Sequence, residues 1–128
     1  LLNKKLNDKV KIINWQKNPY KHLKSADLLV LTSKYEGLPN ILLEAISLKK
    51  NIISTDCPTG PREILDNGKG GDLFRIGDFQ QLSKKIVLFS KNQKKYNDKL
   101  KFAYKRLERF DYNKNLKLYL EEIKSEMN

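Results

Sequence analysis

Glu36 and Glu44 stand eight residues apart, with Gly37 directly after the first and Pro39 two positions further on. Proline suits a first helical position, and Leu38, Ile41, Leu42, Ala45 and Leu48 recur at helical spacing, so a helix is predicted from Pro39 to about Lys49. The segment Ser33-Lys34-Tyr35-Glu36-Gly37-Leu38-Pro39-Asn40 then places a flexible glycine where unpaired backbone N–H groups and the positive end of the helix dipole face outward. Such a turn is a ready site for an anion, and a phosphate there gains roughly 0.3–1 kcal/mol from the dipole, plus hydrogen bonds from the amides. Glu36 lies just before the helix. Glu44 falls beside its apolar stripe, where a carboxylate without a partner is destabilising. Two readings are open. Vicinal sugar hydroxyls, as on ribose, would satisfy Glu44; alternatively it reaches out to solvent while Glu36 complements the dipole.

The elements that must hold these residues alternate between strand and helix. Val10–Asn14 is a short β-branched run, Asn18-Pro19 a break and Tyr20–Ala26 a short helical stretch. Leu28–Thr32 is continuously apolar, as a central strand of a parallel sheet would be. Ile52–Thr55 is the next strand, and Pro61–Asp66 is a short helix opened by proline and stopped near Asn67-Gly68. Leu73–Ile76 is a weaker strand, residues 79–109 are lysine-rich helices, and Leu116, Tyr119, Leu120, Ile123 and Met127 mark a final amphipathic helix. Four strands joined by short connections predict an α/β fold, a Rossmann-like parallel sheet with flanking helices. The division expected is a nucleotide-binding unit over residues 1–112 and the C-terminal helix over 113–128. The chain begins with Leu1, and Leu1–Leu6 reads as the end of a helix already under way, so a fragment is expected.

In an open parallel sheet ligands bind at the carboxyl ends of the strands, which directs attention to the loops at 14–18, 33–40, 56–61 and 68–71. The motifs in them are ordered. Glu36-Gly37-Leu38-Pro39-Asn40-Ile41-Leu42-Leu43-Glu44-Ala45 resembles the Glu-x7-Glu motif of the family 4 glycosyltransferases. The stretch from Asn51 to Leu65, with Asp56-Cys57-Pro58-Thr59-Gly60-Pro61-Arg62-Glu63 at its centre, is similar to the family's next strand, loop and Gly-x-x-Glu helix. Upstream, Asn18-Pro19-Tyr20 and Ser25-Ala26-Asp27-Leu28 match in kind and order, so the resemblance covers about residues 1–90.

That resemblance implies a two-domain GT-B enzyme that transfers a sugar from a nucleotide donor with retention and with no metal or other cofactor. This chain would be the later part of its C-terminal, donor-binding domain. Glu36 would be the catalytic residue, contacting the donor sugar hydroxyls. Gly37 and Leu38 would offer amides to the diphosphate within a donor-binding set that includes Pro39, Asn40 and Glu44, the last holding the ribose. Trp15 admits base stacking or core and edge packing. The Cys-Pro-Thr-Gly-Pro-Arg-Glu form of the second loop is similar to that of family members acting on galactose or N-acetylhexosamine donors, and this resemblance favours UDP as carrier. The family's acceptor domain and the basic pair that clamps the diphosphate have no counterpart here, so no transferase activity is expected of the chain alone. Its expected partners are a nucleotide-sugar, a glycan or lipid-linked acceptor, the missing N-terminal domain, and a second copy through the C-terminal helix.

The remaining chemistry-bearing residues point less far. His22 has no carboxylate or thiol at ligand spacing and reads as a surface histidine. Arg62 reaches either a phosphate or solvent, Asp56 and Glu63 organise a loop and a helix start, and Cys57 has no basic neighbour to activate it. A single cysteine excludes an internal disulfide and suits a reducing, cytoplasmic setting. The net charge of +11 gathers in residues 80–128, where thirteen basic side chains face six acidic ones. Three readings of that charge are open: nucleic-acid binding, which is the alternative class, approach to the inner membrane surface, or simply a lysine-rich composition. The nucleic-acid class lacks the aromatic and basic interleaving of single-strand readers, and no nucleic acid is expected as a partner. No Gly-x-Gly-x-x-Gly or P-loop is present to support a redox or NTPase domain.

Overall fold

Asn51–Thr55 is buried along its whole length, and the rest of the chain is arranged around it. The computed structural model describes residue 6 and residues 8–126. Along the chain come α1 (Tyr20–Ser25), β1 (Leu28–Leu31), α2 (Asn40–Ser47), β2 (Asn51–Thr55), α3 (Pro61–Ile64) and β3 (Asp72–Phe74). The helices α4 (Phe79–Lys91) and α5 (Gln93–Lys105), a 3-10 turn at Leu107–Phe110 and α6 (Tyr112–Glu126) follow. The strands pair in parallel in the order β1-β2-β3, with Leu28 opposite Asn51 and Ile53 opposite Asp72. Parallel neighbours need a crossover, and α2 and α3 supply the two that this sheet requires. The Rossmann-like parallel sheet with flanking helices is therefore present.

Successive strand residues point to opposite faces, and β2 uses this to serve two cores at once. Ile52 packs with Leu42, Ala45, Ile46 and Ala103, while Ile53 packs with Phe74, Phe89 and Tyr96 on the other face. The Phe89 and Tyr96 rings meet edge to face, centroids 5.2 Å apart at 89°. Such an aromatic pair contributes about 0.5–1.5 kcal/mol beyond its buried area.

Tyr96 also carries a polar end into this core. Its hydroxyl donates to Asp72 Oδ2 at 2.7 Å, and Lys99 Nζ and Lys85 Nζ reach the same carboxylate at 2.6 and 3.4 Å. Burial pulls the Asp72 carboxyl upward, but the hydrogen bonds from Lys99 and Tyr96 and the charges of the two lysines outweigh it and hold the group below its ordinary range. Burial first, and then the bond to Asp72, pushes the Tyr96 phenol up. Lys99 donates as well to the carbonyls of Gly68 and Gly71, at 2.6 and 3.4 Å, which fixes the turn that feeds β3.

Several boundaries differ from expectation. The run Val10–Asn14 forms no strand, so three strands stand among the described residues where four are predicted. Val10, Ile12 and Ile13 are 43%, 77% and 43% exposed. A strand exists only through its ladder, and β-branched composition does not supply a neighbour, which this run does not find among the described residues. Among the described residues the apolar run from Leu28 that reads as a central strand lies at one edge of the sheet, half-buried, and β2 holds the centre. Helix α2 stops at Ser47 rather than Lys49, because the chain turns through Lys49 at φ 56° while Lys50 N–H closes back on Ala45 O at 2.8 Å. Pro39 precedes the helix instead of opening it, and Leu38, expected on the apolar stripe, is 47% exposed. Met127 and the segment 1–5 lie outside the described residues. The side chains of α6 from Tyr112 to Ser125 are all exposed.

Candidate functional site

The carboxyl ends of β1 and β2 open into two loops that lie against one another. After β1 the chain runs through Thr32–Leu38 to Pro39, which sits buried at the head of α2 in an extended conformation, ψ 97°. No side chain caps this helix, so the amides of its first turn, Asn40 and Ile41, have no intrahelical acceptor. Leu42 N–H is the first to find one, at Pro39 O, 2.9 Å away. Gly37 is exposed, and a side chain there would meet nothing within 4 Å, so one side of the turn is open to a ligand.

Glu36 is half-buried, and among the described residues no hydrogen bond or ion pair reaches its carboxylate. Glu44, also half-buried, lines a hollow of about 440 Å³ with Ser47, Leu107, Glu108 and Phe110. Tyr20 stands beside it: the charge of Glu44, and then a hydrogen bond to it, push the Tyr20 phenol above its ordinary value. The arrangement thus joins an uncapped helix start, suited to a diphosphate, to two carboxylates, suited to hydroxyl groups.

The second loop braces the first. Thr55 Oγ1 donates to Ser33 O at 2.7 Å and Thr59 Oγ1 donates to Glu36 O, linking strand end to loop base and loop apex to loop apex. Arg62 forms a two-pronged pair with Asp56, its Nε at 2.8 Å from Oδ1 and its Nη2 on Oδ2. The hydrogen bond from Arg62 holds the Asp56 carboxyl below its ordinary range.

Sequence reasoning offered Arg62 only a phosphate or solvent, and the structure gives it a third partner, Asp56. The i to i+6 spacing across a proline-bearing turn hides that pairing, since neither helix nor strand periodicity predicts it. Trp15 is 85% exposed on irregular chain, so core packing is overturned, and no hydrogen bond ties it to the Glu36–Glu44 segment. His22, expected at the surface, is half-buried, and its Nε2 is shielded with no hydrogen-bond partner among the described residues. Cys57 is 1% exposed, with Sγ directed at Thr59 O. Glu63 is exposed in the first turn of α3. Tyr20, Thr55 and Thr59 were missed as site residues. The only sequence signal for the two threonines is their place at the end of β2 and just before Gly60.

A Rossmann-like parallel α/β sheet with polar groups gathered at the carboxyl ends of its strands is what the fold and site define. The family profile of glycosyl transferases group 1 matches residues 1–106, and the chain belongs to that family. It is 53% identical over 66 residues to an uncharacterized glycosyltransferase of Methanocaldococcus jannaschii, which covers 51% of this chain and 16% of that protein. It is 28% identical over 119 residues to the Campylobacter jejuni N-acetylgalactosamine-N,N'-diacetylbacillosaminyl-diphospho-undecaprenol 4-alpha-N-acetylgalactosaminyltransferase, covering 90% of this chain and 32% of that one. The solved structure of Anabaena HepE in complex with UDP superposes with a TM-score of 0.83 at 22% identity, over 94% of this chain and 34% of that one. The chain therefore spans between about a sixth and about a third of the length of these proteins. Among its described residues no helix is long and apolar enough to cross a membrane.

Proposed function

We propose that this chain binds the nucleotide-sugar donor, a UDP-sugar, for a retaining glycosyltransferase that builds a polysaccharide, glycan or glycolipid in the cytoplasm. The observation that carries the reading is the uncapped start of α2, open at Gly37, with Glu36 before it and Glu44 inside it. The amides of Gly37, Leu38, Asn40 and Ile41 bind the diphosphate, Glu44 takes the ribose hydroxyls, and Glu36 takes hydroxyls of the sugar. As the glycosidic bond breaks, negative charge grows on the departing diphosphate. The fixed dipole of α2 and its amides stabilise that charge without having to reorganise. No metal is required for this step. The UDP carried by HepE, whose fold this chain shares, supports the choice of base.

The groups that bind the acceptor, whose own hydroxyl attacks the anomeric carbon of the sugar, belong, on this reading, to an N-terminal domain of the whole enzyme. The chain by itself then binds donor and transfers nothing.

Titration of the chain with UDP, GDP, ADP and a short DNA duplex, followed by amide NMR, tests the proposal. UDP is expected to give saturable shifts at Gly37–Glu44, weakened by Glu44→Ala and unchanged by a metal chelator. Salt-sensitive DNA shifts over residues 80–128, without any nucleotide response, would overturn the donor reading in favour of a basic nucleic-acid module.

A further inference from the structure

The loop that joins β2 to α3 is built as a brace, and its apex bears on the one turn that the proposed function needs rigid. Its base is fixed three ways: Asp56 N–H extends the sheet to Phe74 O at 2.7 Å, Thr55 Oγ1 holds Ser33 O, and the Asp56–Arg62 pair closes the loop across its ends. Its interior is filled by Cys57, which is 1% exposed and directs Sγ at the carbonyl of Thr59. Its apex presents two features to the Glu36 turn. Thr59 Oγ1 donates to Glu36 O. Gly60, at φ 72°, lies so close that a Cβ on it would overlap Gly37 O and stand 2.5 Å from Pro39 Cδ.

We infer that Thr59 and Gly60 are positioning residues that hold the Glu36–Pro39 turn in its ligand-ready form. The inference rests on the donor-binding reading. Neither residue need touch the ligand. The turn is walled on one side by Gly60 and left open on the other at Gly37, so a diphosphate approaching the open side meets amides already aimed at it. The hydroxyl of Thr59 occupies Glu36 O, which fixes the peptide plane between Glu36 and Gly37 and hence the direction of the Gly37 N–H. A turn held this way loses little freedom on binding, and preorganisation of that kind appears as affinity. Only glycine satisfies both demands at position 60, since any larger residue carries a Cβ into backbone atoms and also resists the positive φ.

The experiment compares the wild-type chain with Thr59→Val, Thr59→Ser and Gly60→Ala, titrating each with UDP and recording the amide spectrum and thermal midpoint. Thr59→Val keeps the shape and removes the donor. Its dissociation constant is expected to rise about three- to tenfold, the range a single net hydrogen bond supplies. Thr59→Ser restores the donor and is expected to return within about twofold of wild type. In the absence of UDP, the Gly37 and Leu38 amides should move in the valine variant while those of Ile52 and Ile53 stay in place. Thr59 is exposed, so its variants should keep the wild-type midpoint. Gly60→Ala should weaken binding further and disturb the same two amides. Equal UDP affinity in wild type and Thr59→Val, or a serine variant no better than valine, overturns the positioning role alone. A wild-type chain with no response to UDP overturns the donor reading, and the brace loses its purpose with it. The two failures are distinguishable, because the first shows only in the variants and the second in the unaltered chain.

Discussion

Asp72→Asn keeps the shape of the side chain and removes its charge, so it isolates what the buried carboxylate does for Lys99, Lys85 and Tyr96. Asp72 is 7% exposed and accepts from all three. Removing one member of a buried ion pair typically destabilises by about 3–5 kcal/mol, because the other charge is left unmatched. Two features of this cluster reduce that figure. The lysine side chains are 22% and 23% exposed, so water can solvate them in part, and Lys99 keeps the carbonyls of Gly68 and Gly71. A loss of about 2–3 kcal/mol at pH 7 is expected, at or just below the lower limit of that range.

The pH dependence carries a second signature. The folded-state pKa of Asp72 lies below its ordinary value, so its contribution is complete above the unfolded pKa, near 3.9, and disappears as pH falls through the folded value. Urea unfolding followed by circular dichroism from pH 7 down to pH 2 should show wild-type stability declining in that acid window, with a shallower slope in Asp72→Asn. A variant within about 0.5 kcal/mol of wild type at pH 7, the ordinary range for a surface change, would refute the reasoning, as would identical acid slopes.

Other outcomes follow from the same coordinates. Glu44→Ala should let the Tyr20 phenol titrate at lower pH than in wild type, since the charge of Glu44 is the main cause of its raised value; ultraviolet titration against Tyr20→Phe resolves it. Leu42 is fully buried against α2's neighbours, and Leu42→Ala should cost about 2–5 kcal/mol of stability by chemical denaturation. Arg62→Ala should change stability by under about 1 kcal/mol, because its side chain is 59% exposed, yet the Asp56 carboxyl should titrate at higher pH by NMR. Deleting residues 113–128 should abolish any concentration-dependent sedimentation of the chain if α6 pairs two copies through Leu116, Tyr119 and Ile123, all of them exposed.

The parts of the fold legible in the sequence are those fixed by local pattern. Helix α2, the proline start of α3, the long helices α4 to α6 and the buried strand β2 follow from spacing and composition, because side chains i and i+4, or i and i+2, share a face whatever lies around them. Val10–Asn14 was misread for the opposite reason: strand formation is decided by a distant partner, and a β-branched run carries no record of whether that partner is present. The same ignorance of neighbours put Leu28–Leu31 at the centre of the sheet instead of its edge. At the candidate site, the open turn before α2 was legible because a glycine and a proline precede a helix start. The brace was not, since the bonds from Thr59 to Glu36 O and from Thr55 to Ser33 O each join residues more than twenty positions apart. His22 and Trp15 were assigned by the habits of their residue types, and tertiary placement shields the Nε2 of the one and takes the other out of the core.

The absence of any gap between Gly60 and the Gly37–Pro39 backbone has a consequence for anyone who would redesign this scaffold. The two loops are separate in sequence but share a single parting surface, like mating halves of a mould. A library that varies residues 33–39 with the second loop held constant samples only shapes that fit the existing Gly60 face. Productive diversity must then come from varying 33–39 and 57–60 together, and on the donor-binding proposal ligand preference should be inherited by this pair of segments rather than by either alone.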